Sequence, residues 1–188
     1  MEIDWGEFEE EPRFHARGAF CNVYVACLKV QGLVREVCVK LPRNDSPCLF
    51  KKATQELDLE LGVLQQLSGD RCSKLIGKGL KEDGTVFLVL EYLPGGTWQS
   101  KVDSFGESPQ EENSMVGAGS DGLGFLKRLQ YCIQLAEALD YLHNGCDPDR
   151  ILVHRDLKPE NVAFDRRDGV VLIDFSTATF IDRPPAGS

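Results

Sequence analysis

Three side chains in LVHRDLKPENVAF, residues 152–164, have the types and spacing to move a phosphoryl group: Asp156, Lys158 and Asn161. A carboxylate within reach of a hydroxyl can accept its proton, and a lysine two residues on can neutralise a phosphoryl group in flight. An asparagine amide oxygen can ligate Mg²⁺. A hard cation asks for a second oxygen ligand, and Asp174 supplies one in LIDFS, eighteen residues beyond Asp156 and just after a short apolar strand.

These segments resemble the protein kinase family, Ser/Thr type. The family's catalytic loop reads HRDLKPEN, as residues 154–161 do here, and its DFG motif stands as DFS at 174–176. The resemblance implies ATP and Mg²⁺ as cofactors and protein Ser/Thr hydroxyls as substrate, with Asp156 as base or orienter and Lys158 stabilising charge. Asn161 and Asp174 would hold the metal. Lys158, in place of the arginine-containing loop of tyrosine kinases, points to Ser/Thr specificity. The family also places a strand lysine on the α and β phosphates, and VCVK at 37–40 makes Lys40 the candidate, with Cys38 where a small alanine is usual. A helix carboxylate should pair with that lysine. Glu60 shares an apolar face with Leu57, Leu61 and Leu64, where an unpaired carboxylate would be costly. Glu56, one turn earlier, is the alternative.

Upstream, HARGAFCNVYVA matches the family's phosphate loop in part, with Ala16, Gly18, Cys21 and Val23 standing for GxGxxGxV. Glycines there let backbone N–H groups approach phosphate oxygens, and Ala and Cys restrict positive φ, so weaker nucleotide affinity is expected. LVLEYLPGG resembles the hinge between lobes: backbone groups near Glu91 and Leu93 would meet the adenine edge, and Leu90 would guard the inner pocket. Val23, Cys38 and Ala163 would form its apolar roof and floor. Leu64, His154 and Phe175 match the family's apolar column. Ser176 replaces the DFG glycine and leaves Asp174 in place.

The elements that must position these residues follow from periodicity. VYVACLKV (23–30), REVCVKL (35–41) and TVFLVLEYL (85–93) alternate with period two and read as strands, while residues 49–67 carry a helical apolar stripe. PGG at 94–96 breaks the pattern, and residues 101–124 are rich in Gly, Ser, Glu and Asn, which suggests a disordered insertion. Residues 124–143 read as a largely apolar helix that expects cover on most sides. A short strand pair follows around VAF and VVLID, then a twelve-residue stub from Thr177, whose Thr177 and Thr179 are candidate phosphosites. The fold class is α+β and protein-kinase-like: a β-rich small lobe with one helix, plus an incomplete, mainly helical large lobe. The expected division is an acidic segment 1–13, a small lobe 14–93, a hinge exit with insertion 94–123 and a truncated large lobe 124–188.

Composition bounds the setting. No apolar run approaches a membrane span, the acidic start is unlike a targeting peptide, and seven cysteines without CxxC spacing read as free thiols. An intracellular address, cytoplasmic or nuclear, follows, with no membrane partner. A net charge of −9 disfavours nucleic-acid binding. Three readings stand: a Ser/Thr kinase, a non-catalytic ATP-binding or interaction module whose 124–143 helix is covered by a protein partner, and a fragment of a longer kinase.

Overall fold

The alternating runs pair as a five-stranded antiparallel sheet in the computed structural model, which describes residues 1–30, 32–106 and 121–184. Its strands are β1 (Arg13–Arg17), β2 (Cys21–Val30), β3 (Leu33–Pro42), β4 (Leu75–Leu80) and β5 (Val86–Glu91), in the order β1-β2-β3-β5-β4. In the β2–β3 ladder Val23 faces Lys40 and Val25 faces Cys38. Opposite residues share a face and neighbours alternate, so Cys21, Val23, Val25, Cys38 and Lys40 lie on one side of the sheet. Tyr24, Ala26, Leu28, Val37 and Val39 lie on the other.

That second face is closed by the N-terminal segment. Ile3 and Phe8 are buried with Ala26, Leu28, Val37, Val39, Phe87 and Val89 in one apolar cluster. Ile3 donates its N–H to the Lys78 carbonyl at 2.8 Å, and the Trp5 ring meets Phe8 and Phe87 edge-on at 5.3 and 5.1 Å. Strand β4 was not among the expected runs, because LIGKGL puts glycine where apolar residues would alternate. Those glycines admit the N-terminal backbone: a Cβ on Gly79 would stand 2.1 Å from the Ile3 carbonyl oxygen.

Helix α1 (Pro47–Leu64) starts two residues before the expected stripe, where the Ser46 hydroxyl accepts the Leu49 N–H and Pro47 sits at the first helical position. It buries Ala53, Leu57, Glu60, Val63 and Leu64, whereas Leu61 is only half-buried.

By its internal contacts the chain forms two units. The first holds Met1–Ser68, Ser73–Tyr92 and Asp174–Thr179; the second holds Gly69–Cys72, Leu93–Ile173 and Phe180–Ser188. The second unit contains helices α2 (Trp98–Gly106) and α3 (Asp121–Asp140), strand β6 (Arg150–Val153) and the hairpin of β7 (Val162–Phe164) and β8 (Val170–Leu172). Strand β9 (Thr179–Asp182) pairs with β6, so the expected stub contains a strand. Helix α2 occupies part of the expected disordered insertion. It forms because Thr97 and Ser100 bond reciprocally at its start and the Trp98 ring packs near Tyr131 and Phe164. Of the rest of that insertion, residues 107–120 lie outside the described residues and 121–124 open helix α3. Helix α3 begins earlier than expected and passes into a π-helical turn, Tyr141–Gly145. It buries Tyr131 and Ala138 but leaves Phe125, Leu126, Leu129 and Ile133 exposed.

Candidate active site

In the first unit, the strand lysine and the helix carboxylate meet. Lys40 Nζ lies 2.8 and 2.6 Å from the two Glu60 carboxylate oxygens and 3.2 Å from Asp174 Oδ1. The Glu60 side chain is 1% exposed and that of Lys40 12%, so the pair has left most of its water behind. Burial alone would pull the Lys40 ammonium down, but the charges of Glu60 and Asp174 outweigh it and hold it above the ordinary lysine range. Burial pushes the Glu60 carboxyl up, opposed by Lys40 and by a bond from the Phe175 backbone. Asp174 ends below the usual carboxylate range: burial raises it, and Lys40 with the Ser176 hydroxyl and backbone more than compensates.

The Ser176 bond to Asp174 is a feature the sequence reading missed. A serine two residues after an aspartate is a common source of such local bonds, so the signal was present. Asp174 has φ 63, a left-handed backbone that a bonded aspartate tolerates better than most residues. Leu64 and Phe175 are both buried in this unit.

Residues 17–21, part of the expected phosphate loop, fold as a tight turn between β1 and β2. Gly18 donates its N–H to the Cys21 carbonyl at 2.8 Å, and a Cβ on Gly18 would stand 2.9 Å from that same oxygen. The surviving glycine is therefore required by close approach. Ala16 and Cys21 do not have positive φ, so their side chains strain nothing here, contrary to the reason expected for weaker affinity. The thiols of Cys21 and Cys38 are each pushed up to about 11 by burial, with Lys40 opposing, and they act as neutral packing groups. All seven cysteines are free thiols.

Leu90, buried at the end of β5, stands opposite Cys38. Glu91 exchanges bonds with Lys74: its N–H donates to the Lys74 carbonyl at 3.0 Å, and its carboxylate accepts the Lys74 N–H at 3.2 Å. In the second unit, the half-buried Leu93 accepts the Gly96 N–H at 3.4 Å, and Ala163 is buried in β7 opposite Val171.

In the second unit, polar side chains of residues 156–161 gather on one carboxylate. Asp156 Oδ2 accepts from Lys158 Nζ at 2.7 Å and from Asn161 Nδ2 at 2.9 Å. Asn161 is 5% exposed, and its backbone ties the loop to β8: Ile173 donates to its carbonyl at 3.0 Å. His154, also buried, accepts the Asp156 N–H on Nδ1 at 3.4 Å, so its ring proton sits on Nε2 and is donated to the Ile173 carbonyl at 3.0 Å. Arg155 between them has φ 65. Strain of about 1–3 kcal/mol at such residues persists only where the surroundings over-determine them, as these bonds do. Asn161 spends its amide nitrogen on Asp156, which leaves its amide oxygen as the acceptor. That oxygen is a hard donor of the kind Mg²⁺ takes.

A family model described as "Protein kinase domain" matches residues 16–186. The chain belongs to that family. It is 31% identical over 166 residues to "Mitogen-activated protein kinase kinase kinase 2" of Arabidopsis thaliana, which covers 86% of this chain and 22% of that protein. It is 32% identical over 178 residues to "Probable L-type lectin-domain containing receptor kinase S.7" of the same plant, 94% of this chain and 23% of the relative. The chain thus spans about a fifth of the length of these relatives. Among the described residues no helix is long and apolar enough to cross a membrane.

Proposed function

We propose that the chain is a Ser/Thr protein kinase that transfers the γ-phosphoryl group of Mg-ATP to a protein hydroxyl. The observation that carries this reading is the Asp156 carboxylate held by Lys158 and Asn161, a base oriented by two donors. Asp156 accepts the proton of the attacking hydroxyl while the bond from γ-phosphorus to the ADP oxygen breaks. Lys158 meets the charge that develops on the transferring group. Lys40, oriented by Glu60, grips the α and β phosphates, and Val23, Cys38, Leu90 and Glu91 of the same unit meet the adenine. Asn161 and Asp174 would hold Mg²⁺, which supplies charge neutralisation on the phosphate oxygens. An intracellular setting, cytoplasmic or nuclear, suits the seven free thiols.

The test is Mg-ATP-dependent phosphorylation of a generic Ser/Thr substrate by the purified chain, with Asp156→Asn as control. A general base contributes about 10²–10⁴-fold, so the variant should lose at least two orders of magnitude of rate. Equal incorporation by both proteins overturns the assignment. The exposed α3 residues Phe125, Leu126, Leu129 and Ile133 favour the second reading, a non-catalytic module whose helix is covered by a protein partner. Thermal stabilisation by ATP with no incorporation would select it.

A further inference from the structure

The loop expected to cover the phosphates has lost two of three glycines, yet it is fastened at its tip. Arg43, just past β3, donates from Nη1 to the Gly18 carbonyl at 3.1 Å and to the Ala19 carbonyl at 2.9 Å. Its backbone N–H donates to the Phe20 carbonyl at 2.8 Å. Its remaining donors are committed to Asp45: Nε reaches Oδ2 at 2.8 Å and Nη2 bonds the same oxygen. Arg17, at the end of β1, closes the set with Nη2 on Asp45 Oδ2 at 2.9 Å. The Arg43 side chain is 18% exposed, far less than Arg17 at 56%. The Asp45 carboxyl lies below its usual range because of the Arg43 bond first and the Arg17 charge after it.

In a trans peptide the C=O and the following N–H point in opposite directions. Fixing the Gly18 and Ala19 carbonyls on Arg43 therefore aims the N–H groups of Ala19 and Phe20 away from that guanidinium. Those are donors at the tip of the turn. A loop with flexible glycines would find this arrangement as one of many and lose entropy on binding.

We propose that Arg43, braced by Asp45, is a positioning residue that pre-sets the Ala19 and Phe20 amides to receive nucleotide phosphates, in place of the missing glycines. This rests on the nucleotide-binding reading above.

The test compares equilibrium binding of Mg-ATP and of adenosine, which has no phosphates, to wild type, Arg43→Ala, Arg43→Lys and Lys40→Met. Arg43→Ala should weaken Mg-ATP binding roughly fivefold to tenfold by depopulating the set loop, and leave adenosine binding unchanged. Arg43→Lys, which keeps the charge but cannot reach both carbonyls and Asp45 together, should move the same way by at least about threefold. It decides the matter should the alanine variant fail to fold. Equal Mg-ATP affinity in wild type and the Arg43 variants overturns the proposal, as does a parallel loss for both ligands, which would mark a merely structural role. Failure of wild type to bind Mg-ATP, or undiminished binding by Lys40→Met, overturns the nucleotide reading itself and the proposal with it.

Discussion

Lys40 and Glu60 are more than a contact between a strand and a helix, because each has surrendered hydration that the other largely returns. Removing one partner of a buried pair typically costs about 3–5 kcal/mol, since it strands a charge in low dielectric. Glu60→Ala should fall at the lower end, about 3 kcal/mol, because Asp174 still stands 3.2 Å from Lys40. Urea unfolding of the variant measures this. The double variant with Lys40→Met should lose less than the sum of the two single losses, because it leaves no orphan charge. This pair was legible from the sequence: an acidic residue on the apolar face of a helix demands a cation, and the VCVK strand offered one. The Arg43 brace was not, because its targets are backbone carbonyls, and a carbonyl leaves no mark in the identity of its residue.

At the level of elements, one carboxylate joins three. Asp168, in the turn between β7 and β8 at φ 62, accepts from Lys101 of α2 at 2.9 Å and from Lys127 and Tyr131 of α3 at 2.7 and 2.6 Å. Burial raises its carboxyl, and the three bonds more than reverse that, leaving it well below the usual range. Tyr131 moves the other way, raised by burial and by the adjacent charge. A carboxyl lowered in the folded state contributes stability above its unfolded value of about 4 and loses it as pH falls further. Asp168→Asn should thus cost about 1 kcal/mol at pH 7, allowing for solvent screening of a side chain 35% exposed. The difference from wild type should shrink below about pH 4. Denaturation of both proteins across pH 2–7 reads it, and a gap that widens in acid contradicts the assignment. The hub was hidden from the sequence because its members are scattered from 101 to 168. The N-terminal cover was hidden for another reason: Ile3, Trp5 and Phe8 follow neither a strand nor a helix period and stand among acids. Its one sequence trace was the alternation of Gly77 and Gly79 in β4, a sign of close backbone approach. Helix α2 escaped because its polar composition outweighed the Thr97–Ser100 cap. The long strands and α1 were legible since their periods are clean.

At the scale of the whole chain, the proposed kinase activity makes the overall charge a determinant of how a nucleotide would arrive. The chain carries −9 at neutral pH, and Mg-ATP is also anionic, so the long-range field opposes the encounter even though Lys40, Arg17 and Arg43 are cationic locally. The two contributions act over different distances. The Debye length is about 30 Å at 0.01 M salt and about 8 Å at 0.15 M, so adding salt removes the distant repulsion before it reaches contacts of 3 Å within the site. The association rate for Mg-ATP should therefore rise, by roughly threefold, between these two salt concentrations. Stopped-flow mixing with a fluorescent ATP analogue follows it directly. A basic nucleotide-binding surface would show the reverse, and a rate that falls with salt would mean that the local cations, rather than the net charge, govern the approach.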